Sequence, residues 1–221
     1  MFHPDTPEEY RNQIVTGDAR ILAERIPDES VDLVFSDPVY WQMEDYEWLS
    51  KTASRVLKPN GSLLVYFGMY HLPATMAALA KHLTFRWLMA EKKIGTSTRI
   101  WTYKMFSHWK PYLFYTKQEW QPQSWLKDFV FSKPDGLSVN HAWGKNIPAL
   151  IEIIASHSRA ADIVLDPFCG GASIPAVCKM LGRNFIASEI DPQTAERARL
   201  RLEQTQVPLF VLEPEQAVLG I

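Results

Sequence analysis

The chain has 221 residues, a mass of 25.4 kDa, 47% apolar and 22% charged residues, and a formal net charge of -2. That length can bury the full core of one domain, and this charge content with eight Trp excludes a disordered chain. No apolar run approaches the ~20 residues of a membrane span, and the start MFHPDTPEEY lacks a signal peptide's basic and apolar regions.

Short apolar runs alternate with helical periods, the pattern of an α/β protein. Asn12 to Thr16 reads as a short strand that ends at Gly17-Asp18. Val31 to Ser36 (VDLVFS) reads as a buried strand running directly into Asp37-Pro38-Val39-Tyr40. The spacing of Tyr46, Leu49, Ala53 and Val56 predicts a helix, stopped by Lys58-Pro59-Asn60-Gly61, and Ser62 to Phe67 is the next strand. The segment 91–145 is the least regular, and 91–140 is the expected insertion. Beyond it, Pro148 to His157 reads as a helix and Ile163 to Leu165 as a strand. The turn Asp166-Pro167-Phe168-Cys169-Gly170-Gly171 leads into a helix with Ile174, Val177, Cys178 and Leu181 inward. Asn184 to Ser188 is a strand closed by Glu189. Asp191 then caps a helix with Pro192 at its first position and Ala195, Ala198 and Leu202 as its stripe. The tail after Pro208 has no assignment.

The charge is unevenly placed. Residues 81–133 hold ten basic and three acidic groups, a local charge of +7 that leaves −9 for the rest, and the same stretch contains five Trp. Basic groups interleaved with aromatics suit a surface that tracks phosphates and stacks on bases; a solvated face with core tryptophans is the bland alternative. Lys92, Lys93, Arg99 and Lys104 are its candidate nucleic-acid contacts. The two cysteines make no disulfide framework, so a reducing cytoplasm is the expected compartment. None of the six His pairs with a Cys at a zinc-site spacing, and no metal is expected.

In an open α/β sheet, ligands sit at the carboxyl ends of strands. DPFCGGAS (Asp166 to Ser173) lies at such an end, and Gly170 and Gly171, lacking Cβ atoms, admit close approach of a ligand to the backbone. Glu189, at the end of the following strand, can accept from both hydroxyls of a ribose. GxGxxG is absent and the loop is acidic, so a pyrophosphate is poorly served and a cationic ligand well served. S-adenosylmethionine has a ribose, an adenine and a sulfonium but no phosphate. A plain strand-to-helix turn is the competing reading. Asp37-Pro38-Val39-Tyr40 suits an exocyclic amino group: Asp37 and the Pro38 carbonyl accept its two N–H bonds while Tyr40 stacks on the ring. The base must leave the duplex to reach such a pocket, and Trp41 lies on a loop able to close over it. DP followed by an aromatic is also a common turn.

Together these pieces resemble one family. GDA at Gly17 to Ala19, SDPVY at Ser36 to Tyr40, VLKPNGSLLV from Val56, HAWGKNIPAL from His141, VLDPFCGGAS from Val164 and LGRNFIASEIDP from Leu181 occur in one order. The chain resembles the amino-group (N6-adenine and N4-cytosine) DNA methyltransferases of the circularly permuted kind, in which the catalytic motif precedes the cofactor motif. The resemblance covers roughly residues 12–72 and 141–205. It implies a single methyltransferase domain over 1–221, with a Rossmann-like sheet flanked by helices on both faces and 91–140 as an inserted DNA-recognition region. It implies S-adenosylmethionine across the switch point, lined by Asp166, Phe168, Gly170, Ser173 and Glu189. Asp18 and Lys145 are similar to the family's contacts to the adenine edge and the methionine carboxylate.

The implied activity is methylation of N6 of adenine in double-stranded DNA, as in bacterial, archaeal or phage-encoded restriction-modification enzymes. Adenine is favoured because the motif opens with Asp37. N4 of cytosine is the alternative; so is a non-catalytic DNA-binding subunit, since Val39 stands where the family usually has a second proline. Attack on C5 of cytosine would need a cysteine on the catalytic loop, and neither Cys169 nor Cys178 is there. The shortness of the insertion suggests a small recognition sequence or help from a second copy or a partner subunit.

Overall fold

A computed structural model describes residues 10–93, 97–121, 125–132 and 147–207. Its elements are β1 (Gln13–Thr16), α1 (Ala19–Glu24), β2 (Val31–Ser36), α2 (Met43–Val56), β3 (Leu57–Tyr66), α3 (Leu72–Leu79) and β4 (Thr84–Lys93). There follow β5 (Thr98–Ile100), β6 (Met105–Ser107), β7 (Trp109–Thr116), β8 (Phe129–Ser132), α4 (Ile147–His157), β9 (Ile163–Asp166), α5 (Ser173–Met180), β10 (Asn184–Glu189) and α6 (Pro192–Gln204). Eight strands form one sheet in the order β1-β10-β9-β2-β3-β7-β4-β8, and β5-β6 is a separate hairpin. Strands β1, β10, β9, β2 and β3 are mutually parallel; β7 runs against both β3 and β4.

Alternation along the strands separates two cores. On β3, Leu64 and Tyr66 join the face that also holds Leu33, Phe35, Tyr112 and the apolar stripe of α4 and α5. Leu63, Val65 and Phe67 join the opposite face with Tyr46, Leu49 and Ala53 of α2. A central strand covered on both sides reads as a continuous apolar run, as SLLVYF does. Burying each such side chain contributes about 1.5–3 kcal/mol, so these strands form the most stable part of the sheet. The fold is therefore α/β, with helices on both faces.

The predicted helix stop at Lys58-Pro59-Asn60-Gly61 is a bulge inside β3. Val31 pairs with Leu57 and Leu33 with Ser62, so the intervening residues loop out, and Lys58 turns back onto Asp32 with Nζ at 2.7 Å. Asp191 caps α6 by accepting from the Thr194 N–H at 2.8 Å. Where the irregular pattern of 91–140 predicts an insertion, the structure places β7 and β8 in the main sheet, with β4 between them. Among the described residues of this stretch, the β5-β6 hairpin stands apart from the main sheet. No helix among the described residues is long and apolar enough to cross a membrane.

His157 closes α4 against β7. Its Nδ1 lies 2.9 Å from the Ile153 carbonyl, and its ring meets Phe114 edge-on at 5.3 Å. The residue keeps some exposed surface, but Nε2 is enclosed with no hydrogen-bond partner among the described residues. Burial pushes the imidazole from 6.5 down to about 4. Below pH 6.5 the unfolded chain therefore takes up a proton that the folded chain refuses, and stability falls until about pH 4. In urea titrations between pH 7 and pH 4, this group should remove up to roughly 3 kcal/mol. His157→Gln should flatten that share of the slope.

Candidate active site

From β2 the chain winds through α2 to β3 and on towards one edge of the sheet; from β9 it winds through α5 to β10 and towards the other. Strands β2 and β9 are neighbours, so the winding direction reverses between them. At that point the loops diverge and leave a crevice. Ser36, the last residue of β2, donates its hydroxyl to Asp166 Oδ1 at 2.9 Å, joining the two strand ends across the crevice floor. Both residues are buried.

Four neighbouring strands deliver an acidic residue to this edge. In sheet order these are Asp18 after β1, Glu189 at the end of β10, Asp166 at the end of β9 and Asp37 just after β2. With neighbouring strands ~4.8 Å apart, the row spans about 14 Å, the length of an extended small molecule.

The glycine loop is laced to β10. The Cys169 N–H donates to the Ser188 carbonyl at 3.0 Å, and the Ser188 hydroxyl donates to the Pro167 carbonyl at 2.8 Å. Glu189 is fixed by both oxygens: Oε2 accepts from the Gly170 N–H at 3.0 Å and Oε1 from the Asp191 N–H at 2.9 Å. A carboxylate has about four acceptor positions, so two held by backbone leave capacity for a diol. Gly170 has φ +50, and a Cβ there would meet nothing within 4 Å. The space over this glycine is open to a ligand. Arg201 ties the far side of the loop, with Nη1 at 2.9 Å from both the Gly171 carbonyl and Ser173 Oγ. Phe168 packs edge-on against Trp48 of α2 at 5.7 Å, which brings an aromatic wall to the crevice. Asp18 is half-exposed and caps α1, accepting from the Arg20 N–H at 2.8 Å.

On the β2 side, Pro38 is buried, Val39 and Trp41 are exposed, and Tyr40 lies between. Gly68, just beyond β3, packs under the Tyr40 ring, since a Cβ there would come within 3.2 Å of it. Asp37 Oδ2 accepts from Lys110 Nζ at 2.9 Å. The Lys110 ammonium also sits 3.8 Å from the Tyr66 ring centroid, and the Tyr66 hydroxyl donates to buried Glu91 at 2.7 Å. Burial first, then the Asp37 carboxylate, pushes the Tyr40 hydroxyl far above the usual phenol range, so it stays protonated.

The outer wall comes from β4, β7 and the hairpin. Lys92 pairs in register with Trp109, and Glu91 with Lys110, so the end of β4 and the start of β7 reach the same edge as Asp37. Arg99 lies over the rings of Trp101 and Phe106, and Tyr103 stacks on Tyr70 at 5.5 Å. Trp101 is 77% exposed, Tyr103 66% and Phe106 56%, an aromatic surface turned to solvent beside basic groups. Lys104 follows in the left-handed region at φ 48.

Asp18, Asp37, Pro38, Tyr40, Asp166, Phe168, Gly170, Ser173 and Glu189 thus lie along one edge of the sheet. Trp41, Lys92, Arg99 and Lys104 lie on loops and strand ends outside the crevice. Lys145 falls outside the described residues, as does the side chain of Lys93. Residues not singled out from sequence are Ser36, Trp48, Tyr66, Glu91 and Lys110. A lysine directly before the apolar run PYLFY was the available signal for Lys110; the others carry none, since their partners are remote in sequence.

A family model described as DNA methylase matches residues 109–199, and one described as a methyltransferase domain matches residues 4–65. The Type II methyltransferase M.BamHI of Bacillus amyloliquefaciens is 24% identical over 86% of the chain, which spans 57% of that relative's length. The DNA adenine methyltransferase YhdJ of Escherichia coli is 27% identical over 89% of the chain and 85% of its own. Among solved structures, an M1.HpyAVI-SAM complex superposes with a TM-score of 0.72 at 23% identity, covering 86% of this chain and 98% of that one. The cytosine-N4-specific PvuII DNA methyltransferase superposes with a TM-score of 0.73 at 18% identity, covering 88% and 87%.

The Ser36–Asp166 bond is open to a direct test. Ser36→Ala removes one donor from a buried carboxylate, and a lost hydrogen bond to a charged group costs about 1.5–3 kcal/mol. Urea denaturation of the variant should show a loss of that size at pH 7; an unchanged midpoint would mean that the bond contributes nothing.

Proposed function

We propose that the chain is an amino-group DNA methyltransferase, transferring a methyl group from S-adenosylmethionine to an exocyclic amino group in DNA, with N6 of adenine the favoured target. The observation that carries this reading is Asp37-Pro38-Val39-Tyr40 at the switch point, on the strand next to the one that ends at Asp166, with Glu189 one strand further. When bound, the cofactor supplies a methyl group on a positively charged sulfur, which a nitrogen can accept without a covalent enzyme intermediate.

Each residue has a physical role in this scheme. Glu189, anchored through both oxygens, accepts from the ribose hydroxyls without having to be ordered on binding. Open space over Gly170 admits the ligand against the backbone. Asp166 and Ser173 shape the floor, Phe168 the side wall, Asp18 the adenine edge, and Lys145 takes the methionine carboxylate. The acidic row favours a cation. Asp37 and the Pro38 carbonyl accept the amino N–H bonds and draw the lone pair out of the ring. They also stabilise the positive charge that grows on nitrogen, which is lost when that nitrogen's proton passes to water. Tyr40, protonated and supported by Gly68, stacks on the extruded base.

Double-stranded DNA approaches the edge formed by Trp41, Lys92, Arg99 and Lys104, where cations meet phosphates and exposed rings of the β5-β6 hairpin meet bases, and Lys93 is a further candidate from the sequence. N4 of cytosine offers the same two N–H bonds to the same acceptors, and the likeness to the PvuII enzyme supports it as the second reading.

Asp37→Ala should lower the rate of methyl transfer roughly 10²–10³-fold while leaving cofactor affinity unchanged. Glu189→Ala should instead weaken cofactor binding by about 1.5–3 kcal/mol in calorimetry. Mass spectrometry of nucleosides from treated DNA identifies the base: N6-methyladenine supports the first reading and N4-methylcytosine the second. A protein that binds cofactor and DNA yet yields neither is a non-catalytic subunit.

A further inference from the structure

Asp37 can serve an amino group only if its carboxylate is ionised and held in one orientation, and the loop that bears it supplies only part of that control. The rest comes from three strands. Lys110 on β7 places Nζ 2.9 Å from Asp37 Oδ2, with the two side chains only 27% and 19% exposed. The same ammonium lies 3.8 Å from the centroid of Tyr66 on β3. The Tyr66 hydroxyl donates to Glu91 on β4 at 2.7 Å, and Glu91 is the register partner of Lys110 across the β4-β7 ladder. Lys110 thus has a carboxylate in front, an aromatic face beneath and a second buried carboxylate across the ladder. An ammonium held in this way is fixed by its surroundings and not by solvent.

We infer that Lys110 is a positioning residue for the proposed reaction: its ammonium, braced by Tyr66 and Glu91, holds Asp37 ionised and aimed at the target amino group. The inference rests on the function proposed above. Among the described residues, the titratable groups around Asp37 include Tyr40 on its own loop, Tyr46 on α2, Tyr66 on β3 and Lys110 on β7; Asp45, paired with Arg20 at 2.7 Å, lies beyond Tyr46, and Glu91 beyond Tyr66. Burial pushes the three phenols upward, so they stay neutral, and Asp45 and Glu91 are acids. Lys110 is the cation that contacts Asp37 directly among the described residues. Its placement inside the wall, tied to a carboxylate, distinguishes it from Lys92 at the rim.

The experiment compares Lys110→Met, which keeps length and loses charge, with Lys110→Arg, which keeps charge; Lys110→Gln substitutes if the Met variant fails to fold. The charge-free variant should lose roughly ten- to hundredfold in kcat on DNA, with KM for DNA and Kd for S-adenosylmethionine within about twofold. The acid limb of its kcat/KM profile should move up by about one pH unit. Lys110→Arg should restore most of the rate. Carbon-13 NMR of protein labelled at its aspartate carboxyls, with Asp37→Asn to identify the resonance, should show Asp37 taking up its proton at higher pH in the charge-free variant. That titration needs neither DNA nor methyl transfer. If the wild-type protein transfers no methyl group, the proposed function fails while the titration still judges Lys110. An Asp37 resonance that titrates identically with and without the ammonium overturns the inference, and so does an equal loss of kcat in the Met and Arg variants.

Discussion

The pairing of β2 with β9 is the contact on which the site depends. It is a short ladder, Leu33 with Val164 and Val34 with Leu165, extended at its carboxyl end by the Ser36–Asp166 hydrogen bond. Everything on one side of it belongs to the loop of Asp37 and everything on the other to the loop of Gly170. Because side chains alternate along strands, a slip of one residue would turn Ser36 away from Asp166 and exchange the two cores. Full burial of Leu33, Val34, Val164 and Leu165 guards against it. The crevice is therefore a by-product of sheet register. Its width is set by strand spacing and its depth by where each strand stops.

The two walls are stiffened by different means. On the glycine side, backbone does most of the holding: Gly170, Asp191 and Cys169 donate N–H bonds, and Glu189 and Ser188 accept them. On the Asp37 side, side chains do it, through rings and ions drawn from β3, β4 and β7. Backbone lacing tolerates many substitutions, whereas the ring-and-ion wall does not. The first wall fits a ligand of constant shape; the second fits a group whose charge must be tuned.

Much of this was legible in the sequence. Strands β2, β9 and β10 and helices α2, α5 and α6 follow from runs and spacings that their neighbours reinforce, and Asp37, Asp166 and Glu189 stand where apolar runs end. The missed elements have physical reasons. Helix α1 is one and a half turns long, too short for a period. Helix α3 reads LPATMAAL, apolar on nearly every side, so it shows no stripe. Strands β4 and β7 mix basic and aromatic residues because their ends reach the crevice edge while their middles are core, and this mixture resembles a surface insertion. Lys110, Tyr66 and Glu91 come together through the β3-β7 and β4-β7 ladders, whose register is not written in any local pattern.

The edge strand β1 has one further consequence, for synthesis. Its ladder partner is β10, and Arg199 of α6 donates to the Ile14 carbonyl, so this strand is held by elements made far later in the chain. A growing chain can pair β2 with β3 and lay β7 and β4 beside them early, since those segments emerge together. Strand β1 must wait, solvated, until some 170 residues more have been added. Contacts this distant in sequence form late and slowly. The β2 side of the crevice can thus form before β10 is made, and a chain cut short before β10 lacks both Glu189 and the ladder partner of β1.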